Sequence, residues 1–187
     1  HTVSAIVSVN NRLMWRQAEY GEQRVNEESA YLLNYALYKV ATEGTAKAIG
    51  RTYDNINMAG KTGTTDDYRD SWFAGYDRNN LATVWVGNDE NRSTGLTGST
   101  GALPVFLAYQ QLQEPKSLSR RFPNGLGIAH FDPVTGAVVT AGCQGSMSVP
   151  AVLDALPPAQ GCVGQSGEKA PAKKAKEKSW WERLFGG

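Results

Sequence analysis

The chain has 187 residues, with 19 Lys and Arg against 18 Asp and Glu, so its formal net charge is +1; this excludes a globally basic nucleic-acid binder. Hydrophobic residues make up 41%, enough for a packed core and too many for a wholly disordered chain. No run approaches the roughly 18–20 apolar residues of a membrane-spanning helix, and the length suits one domain, or one domain with an appendage.

The start, His1 rather than Met, reads as a processed end or a piece of something longer, with no basic-then-apolar leader. Residues 2–9 are β-branched and apolar and predict a strand; Asn10-Asn11 signals a turn, and Leu13-Met14-Trp15 the returning strand of a hairpin. Residues 17–26 are polar and read as loop. Asn26 is a candidate N-cap, with Glu27 and Glu28 placed where a helix dipole favours negative charge. Helical spacing then runs over residues 29–42, with Leu33, Leu37, Val40 and Ala41 on one face and Gly44 as the stop. Thr45 is expected to cap a short second helix through Ala46 and Ile49, ended by Gly50. Three β-like segments follow, at residues 56–65, 71–76 and 81–86; the short link 77–80 predicts an antiparallel hairpin for the last two. Trp72, Phe73 and Trp85 are expected to pack in the core and sheet. A Gly/Ser/Thr loop over 93–101 leads to a helix in which Val105, Phe106, Ala108, Tyr109 and Leu112 recur, with Pro104 tolerated in its first turn. The resulting fold class is α+β, an antiparallel sheet packed with helices.

After Glu114-Pro115 the composition changes to Gly, Pro and short β-like pieces at 128–131 and 138–140. The domain reading is a main unit over 1–113, a small β-rich C-terminal subdomain over 114–165, and a flexible Lys-rich tail over 166–187 ending in an aromatic segment, Trp180 to Phe185. Two cysteines, Cys143 and Cys162, fall in the subdomain. They form either one bridge or two unpaired thiols. A bridge would close a loop of about 20 residues, contribute about 3 kcal/mol and imply an oxidising compartment. No Cys-x-x-Cys or His pair accompanies them, so no metal site is expected. His1 and His130 lack the company of a catalytic triad and read as exposed or structural.

The segment that carries chemistry is Gly60-Lys61-Thr62-Gly63-Thr64-Thr65. It is not a phosphate loop, because the lysine sits inside a β-like run rather than at the end of a glycine loop opening a helix. Such a strand suits an anion beside a reactive carbonyl. Gly63 lets a ligand approach the backbone, Thr62 and Thr64 offer hydroxyls, and Lys61 offers fixed positive charge. A backbone N–H at its edge can donate to a developing oxyanion, where losing one donor costs roughly 3–4 kcal/mol. Alternation along the strand puts Thr62 and Thr64 on one side and Lys61 on the other.

In its surroundings the segment resembles the C-terminal part of the transpeptidase domain of penicillin-binding proteins, closest to bifunctional class A proteins of the 1B type. The motifs stand in order: residues 40–46 ending the first helix, Ala59 to Thr65, Asp70-Ser71-Trp72-Phe73-Ala74-Gly75, Val84-Trp85-Val86-Gly87, and Gly101-Ala102-Leu103-Pro104-Val105-Phe106. The cysteine pair and the Trp-containing terminus are also similar to the 1B type. The resemblance implies a fold like that of penicillin-binding proteins and serine β-lactamases, present as a partial domain. It implies a serine-type D-alanyl-D-alanine transpeptidase, working through an acyl-enzyme on peptidoglycan stem peptides, acylated by β-lactams and using no cofactor. Lys61 would tune proton transfer and hold the terminal carboxylate by charge. Thr62 and Thr64 would hydrogen-bond that carboxylate, Gly63 and Thr65 would line its seat, and the Thr64 N–H would be half of the oxyanion hole. The parent protein would also carry a peptidoglycan glycosyltransferase and a membrane anchor, work on the periplasmic face of the bacterial inner membrane, and meet an outer-membrane lipoprotein activator and other cell-wall machinery. The lysine tail reads as solvated; the sharper option is that it and the terminal aromatics weakly touch an anionic membrane surface or another cell-wall protein.

The departures matter. The family needs a Ser-x-x-Lys nucleophile and a Ser-x-Asn motif upstream of Lys-Thr-Gly. The Ser-x-x-Lys here, Ser166 to Lys169, lies downstream in the tail, and Ser8-Val9-Asn10 ends the first strand; both read as coincidence. The chain alone is therefore expected to be inactive. A non-catalytic stem-peptide or protein-interaction module is one alternative. A serine β-lactamase or D,D-carboxypeptidase is another.

Overall fold

The computed structural model describes residues 3–17 and 22–162. The tail over 166–187, with Ser166 and the terminal aromatics, lies outside the described residues. Among the described residues the chain forms three antiparallel sheets: an N-terminal hairpin, a central sheet packed with helices, and a small C-terminal sheet. The first is a hairpin, β1 (Ala5–Val7) with β2 (Leu13–Arg16), shorter than the predicted 2–9 strand because Ser8 turns the chain: its N–H bonds the Arg12 carbonyl at 2.8 Å, and its hydroxyl accepts from the Arg12 N–H at 3.2 Å. Ser8-Val9-Asn10 is thus turn structure.

Helix α1 (Glu27–Thr42) starts where predicted, with the Asn26 side chain accepting from Ser29 N at 2.8 Å. Val40 and Ala41 are buried, but Leu33 is 61% exposed, so the buried stripe is shorter than the spacing suggested. The second helix, α2 (Ala48–Thr52), is not capped by Thr45 and does not end at Gly50, which lies within it. The reason is that Thr45 turns its hydroxyl to Thr62 Oγ1, 2.7 Å away.

The central sheet has the order β3 (Ala59–Thr64), β4 (Ser71–Tyr76), β5 (Leu81–Val86). Helix α1 packs along β3 and α3 (Ala102–Gln113) packs on β4 and β5. The core between them comprises Val40, Ala41, Ala46, Ile49, Met58, Phe73, Ala102, Leu103 and Phe106. Phe73 and Phe106 meet at 4.8 Å between ring centroids. Gly75 makes room for them, since a Cβ there would lie 2.4 Å from the Phe73 ring. The buried face of α3 is Ala102, Leu103, Phe106 and Gln110. The expected face through Val105, Tyr109 and Leu112 is largely exposed, Leu112 at 80%; an unbroken apolar run has no periodicity by which to tell its faces apart. Trp72 and Trp85 pack on the sheet as expected but not in the core. They sit on the outer face, 42% and 46% exposed, and tilt against one another at 6.1 Å.

The third sheet has the order β7 (Val138–Val139), β6 (Leu126–Phe131), β8 (Met147–Val152). Cys143 and Cys162 are disulfide-bonded, with Cα atoms 5.1 Å apart. Between α1 and this sheet lies a cleft of about 270 Å³ lined by Tyr31, Tyr35, Tyr38, Arg120, Ile128 and Pro150 among others, none of them from β3.

Candidate active site

Strand β3 lies at one edge of its sheet, paired only with β4 among the described residues. Its register is Lys61 opposite Ala74, Thr62 opposite Phe73, Gly63 opposite Trp72 and Thr64 opposite Ser71. Directly opposed residues of an antiparallel pair alternate between exchanging both hydrogen bonds and exchanging none. Thr65 N donates to Asp70 O at 3.1 Å, so Gly63 and Lys61 are the bonded positions along β3. The N–H and C=O groups of Thr62 and Thr64 therefore point away from β4, toward the free edge. No described group accepts the Thr64 N–H. It is a free donor on a rigid element, flanked by the residues singled out for chemistry.

Lys61 stands on the outer face with Gly63, Trp72, Ala74, Thr83 and Trp85. It is exposed, and its Nζ donates to the Thr62 carbonyl at 3.0 Å, so the ammonium lies at the same free edge. Gly63 is half-buried; a Cβ there would stand 3.1 Å from the Trp72 Cβ, so the missing side chain opens the strand and relieves the indole's stem. Thr62 and Thr64 are on the inner face with Phe73. Thr62 Oγ1 pairs with Thr45 Oγ1 at 2.7 Å, and Thr64 Oγ1 accepts from Gly98 N at 2.9 Å. Thr65 ends the strand: its hydroxyl donates to Asp70 Oδ2 at 3.1 Å and accepts from Asp70 N at 2.8 Å. The other Asp70 oxygen takes the Trp85 indole N–H at 2.9 Å. Asp67 and Tyr68 in the connection have positive φ, 59° and 56°, so the β3–β4 turn is tightly shaped.

Lys61, Thr62, Gly63 and Thr64 thus come together on one short ledge, and Thr65 anchors its end. Thr45, Asp70, Ser71 and Gly98, which support the ledge, were not singled out as site residues. Asp70 and Ser71 stand in a motif quoted above, but the Gly/Ser/Thr loop that holds Gly98 reads as a bare linker. Cys143 and Cys162 lie in the loops around the third sheet, outside its strands and away from the ledge. Among the described residues no group of three or more His, Cys, Asp or Glu side chains gathers as metal ligands would. What the ledge can do is hold a carboxylate or carbonyl oxygen by charge, hydroxyl and amide at once.

The family described as the penicillin binding protein transpeptidase domain matches residues 1–106, more than half of the chain, and the chain belongs to that family. It is similar to penicillin-binding protein 1B of Vibrio cholerae (32% identical over 146 residues, 78% of this chain and 19% of that protein). It is also similar to penicillin-binding protein 1B of Escherichia coli K12 (33% over 145 residues, 78% and 17%). A crystal structure of penicillin-binding protein 1A from Haemophilus influenzae superposes with a TM-score of 0.65 at 25% identity, over 76% of this chain and 22% of that one. The fold is therefore that of part of a penicillin-binding α+β domain. The chain spans less than a fifth of the length of these 1B relatives.

Proposed function

We propose that this chain supplies the carboxylate-gripping strand of a D,D-transpeptidase that cross-links peptidoglycan stem peptides. The observation that carries the reading is the free Thr64 N–H at the open edge of β3, with the Lys61 ammonium at the same edge. In this reading a serine outside these 187 residues attacks the carbonyl carbon of the penultimate D-alanine. The carbonyl oxygen, becoming an oxyanion, is met by the Thr64 N–H and a second donor. Lys61, with the Thr62 and Thr64 hydroxyls, holds the terminal carboxylate, and Lys61 eases the movement of the serine proton toward the leaving amine. D-Alanine departs, leaving an ester on the serine, and the amine of a neighbouring stem displaces the serine to form the cross-link. β-Lactams acylate the same serine because they present a carboxylate and a strained amide in the same relation.

The rest of the reading follows the family. The parent protein joins a glycosyltransferase to this domain and works on the periplasmic face of the inner membrane. There it meets stem peptides and a lipoprotein activator, a setting consistent with the Cys143–Cys162 bridge. Residues 1–113 serve as the catalytic portion and 114–165 as a bridged appendage.

Labelling with fluorescent penicillin tests this. A protein with the complete domain is labelled stoichiometrically, and Lys61→Ala slows that labelling by about 10²-fold or more while leaving the thermal midpoint in place. An unchanged rate removes Lys61 from the site. The 187-residue chain by itself stays unlabelled, and stoichiometric labelling of it would place a nucleophile within these residues.

A further inference from the structure

The loop between β5 and α3, residues 97–101, touches the ledge from beneath. Gly98 sits so close to the β3–β4 ladder that a Cβ on it would lie 2.6 Å from the Trp72 carbonyl oxygen, 2.7 Å from the Gly63 oxygen and 2.8 Å from the Thr62 Cβ. Its peptide links two elements: the N–H donates to Thr64 Oγ1 at 2.9 Å, and the C=O accepts from Leu103 N, in the first turn of α3, at 2.9 Å. The loop is held by Ser71, whose side chain is fully buried. The Ser71 hydroxyl donates to Thr97 O at 2.7 Å and accepts from Ala102 N at 2.8 Å. It thereby satisfies an orphan donor at the start of a helix whose own N-cap, Gly101, has no side chain. On the surface, Thr100 Oγ1 accepts from Thr97 N at 2.9 Å and shapes the same turn.

A threonine hydroxyl has one proton and two lone pairs. When Gly98 N–H occupies a lone pair of Thr64, the hydroxyl can no longer turn its proton toward the loop. We infer that Ser71 and Gly98 are positioning residues that fix Thr64 as a hydrogen-bond donor toward the ligand carboxylate, with the 97–101 loop as the device that transmits Ser71's hold. This rests on the carboxylate-gripping role given above to Thr64. Ser71 touches no ligand; it acts through Thr97, Gly98 and Thr64.

The test is a double-mutant cycle in a protein with the complete domain. The reaction with fluorescent penicillin is resolved into the non-covalent binding constant and the acylation rate constant. Ser71→Ala weakens non-covalent binding by about tenfold, the worth of one hydrogen bond to a charged group, and leaves the acylation rate constant within about twofold. In a Thr64→Val background, where no hydroxyl remains to aim, Ser71→Ala has no further effect on binding. In a Thr64→Ser background the tenfold effect returns. Thr100→Ala, a surface change that leaves the core intact, gives a smaller loss of about threefold with the same dependence on Thr64, and serves where Ser71→Ala does not fold. Equal losses in all three Thr64 backgrounds, or no loss with Thr64 present, overturn the inference while the site reading stands. If Thr64→Val and Lys61→Ala both bind and react like the parent, the site reading itself fails, and the inference with it.

Discussion

The central sheet and the C-terminal sheet have three strands each and antiparallel pairing, yet they are held together by different means. Beneath β3–β4–β5 lie large buried side chains: Phe73, Phe106, Ile49, Met58, Leu103 and Val40. In and around β7–β6–β8 the buried apolar residues are small, Ala129, Val139, Cys143, Pro150 and Ala151. There the disulfide between Cys143 and Cys162 and hydrogen-bonded turns do the holding. One such turn has Asp132 accepting from Val134 N, Thr135 N and the Thr135 hydroxyl; the bonds from Thr135 lead in pushing that carboxyl below its usual range, against some burial. The lesson is that a rigid ledge for chemistry calls for packed volume, because close-packed side chains resist displacement. A peripheral sheet can persist on covalent closure and local turns.

The two regions are strapped together by residues 116–122. Leu118 N donates to Asn57 O at 2.9 Å and Arg78 N to Lys116 O at 3.0 Å. Tyr31 meets Phe122 edge-on at 5.2 Å and donates its hydroxyl to Arg120 O at 3.2 Å. Burial pushes the Tyr31 phenol up, partly offset by the Arg120 charge. Asp77 is the buried hub of the strap. It accepts from Lys116 N at 2.6 Å, Asn80 N at 2.6 Å and Asn79 N at 2.8 Å.

This contrast breaks most readily at Phe73. Phe73→Ala removes a ring contact with Phe106 and is expected to cost about 3–5 kcal/mol. Hydrogen exchange should rise throughout β3, β4, β5 and α3 while β6 and β8 change less. Uniform loosening of both sheets would mean that they share one cooperative core. The next effect is smaller and opposite in location. Replacing Cys143 and Cys162 together by Ser should cost about 3 kcal/mol, and exchange or proteolysis should increase over residues 138–162 with the Lys61 ledge unmoved. Loosening at β3 would contradict the division.

The smallest effect concerns the strap. Burial raises the Asp77 pKa, but the amide bonds from Lys116, Asn80 and Asn79 together outweigh it, and the net shift is downward. A carboxyl depressed in the folded state stabilises fully above its unfolded pKa of about 3.9, and that contribution is lost as pH falls through the lower folded value. Stability should therefore drop below about pH 4, and Asp77→Asn should flatten that drop while costing about 1.5–3 kcal/mol at neutral pH. A pH profile identical in the variant would remove Asp77 from the joint.

Much of this was legible in the chain itself. The bounds of β4 and β5, the Asn26 cap and the strand character of Lys61 to Thr64 follow from alternation, turn residues and capping chemistry, which act over a few residues. The resemblance was legible because its motifs keep their order. Strand β8 is not among the expected segments; a proline within a run, here Pro150, removes a ladder donor and weakens the strand signal. It pairs along one side with β6 in a three-stranded sheet whose middle strand is β6. The exposed sides of α3 and of the two tryptophans are not legible in the sequence, since apolar residues alone do not declare which face meets a partner.

By itself, then, the sequence determined where α1, β4 and β5 begin, which residues form the ledge, and which family the chain belongs to. Only the tertiary structure decided that the Thr64 amide faces an open edge, that Gly98 and Ser71 brace it, and that Asp77 ties two regions together. Those contacts join residues 26 to 39 positions apart in the chain, and pairing over such distances is set by how packed elements meet, not by the preferences of neighbouring residues.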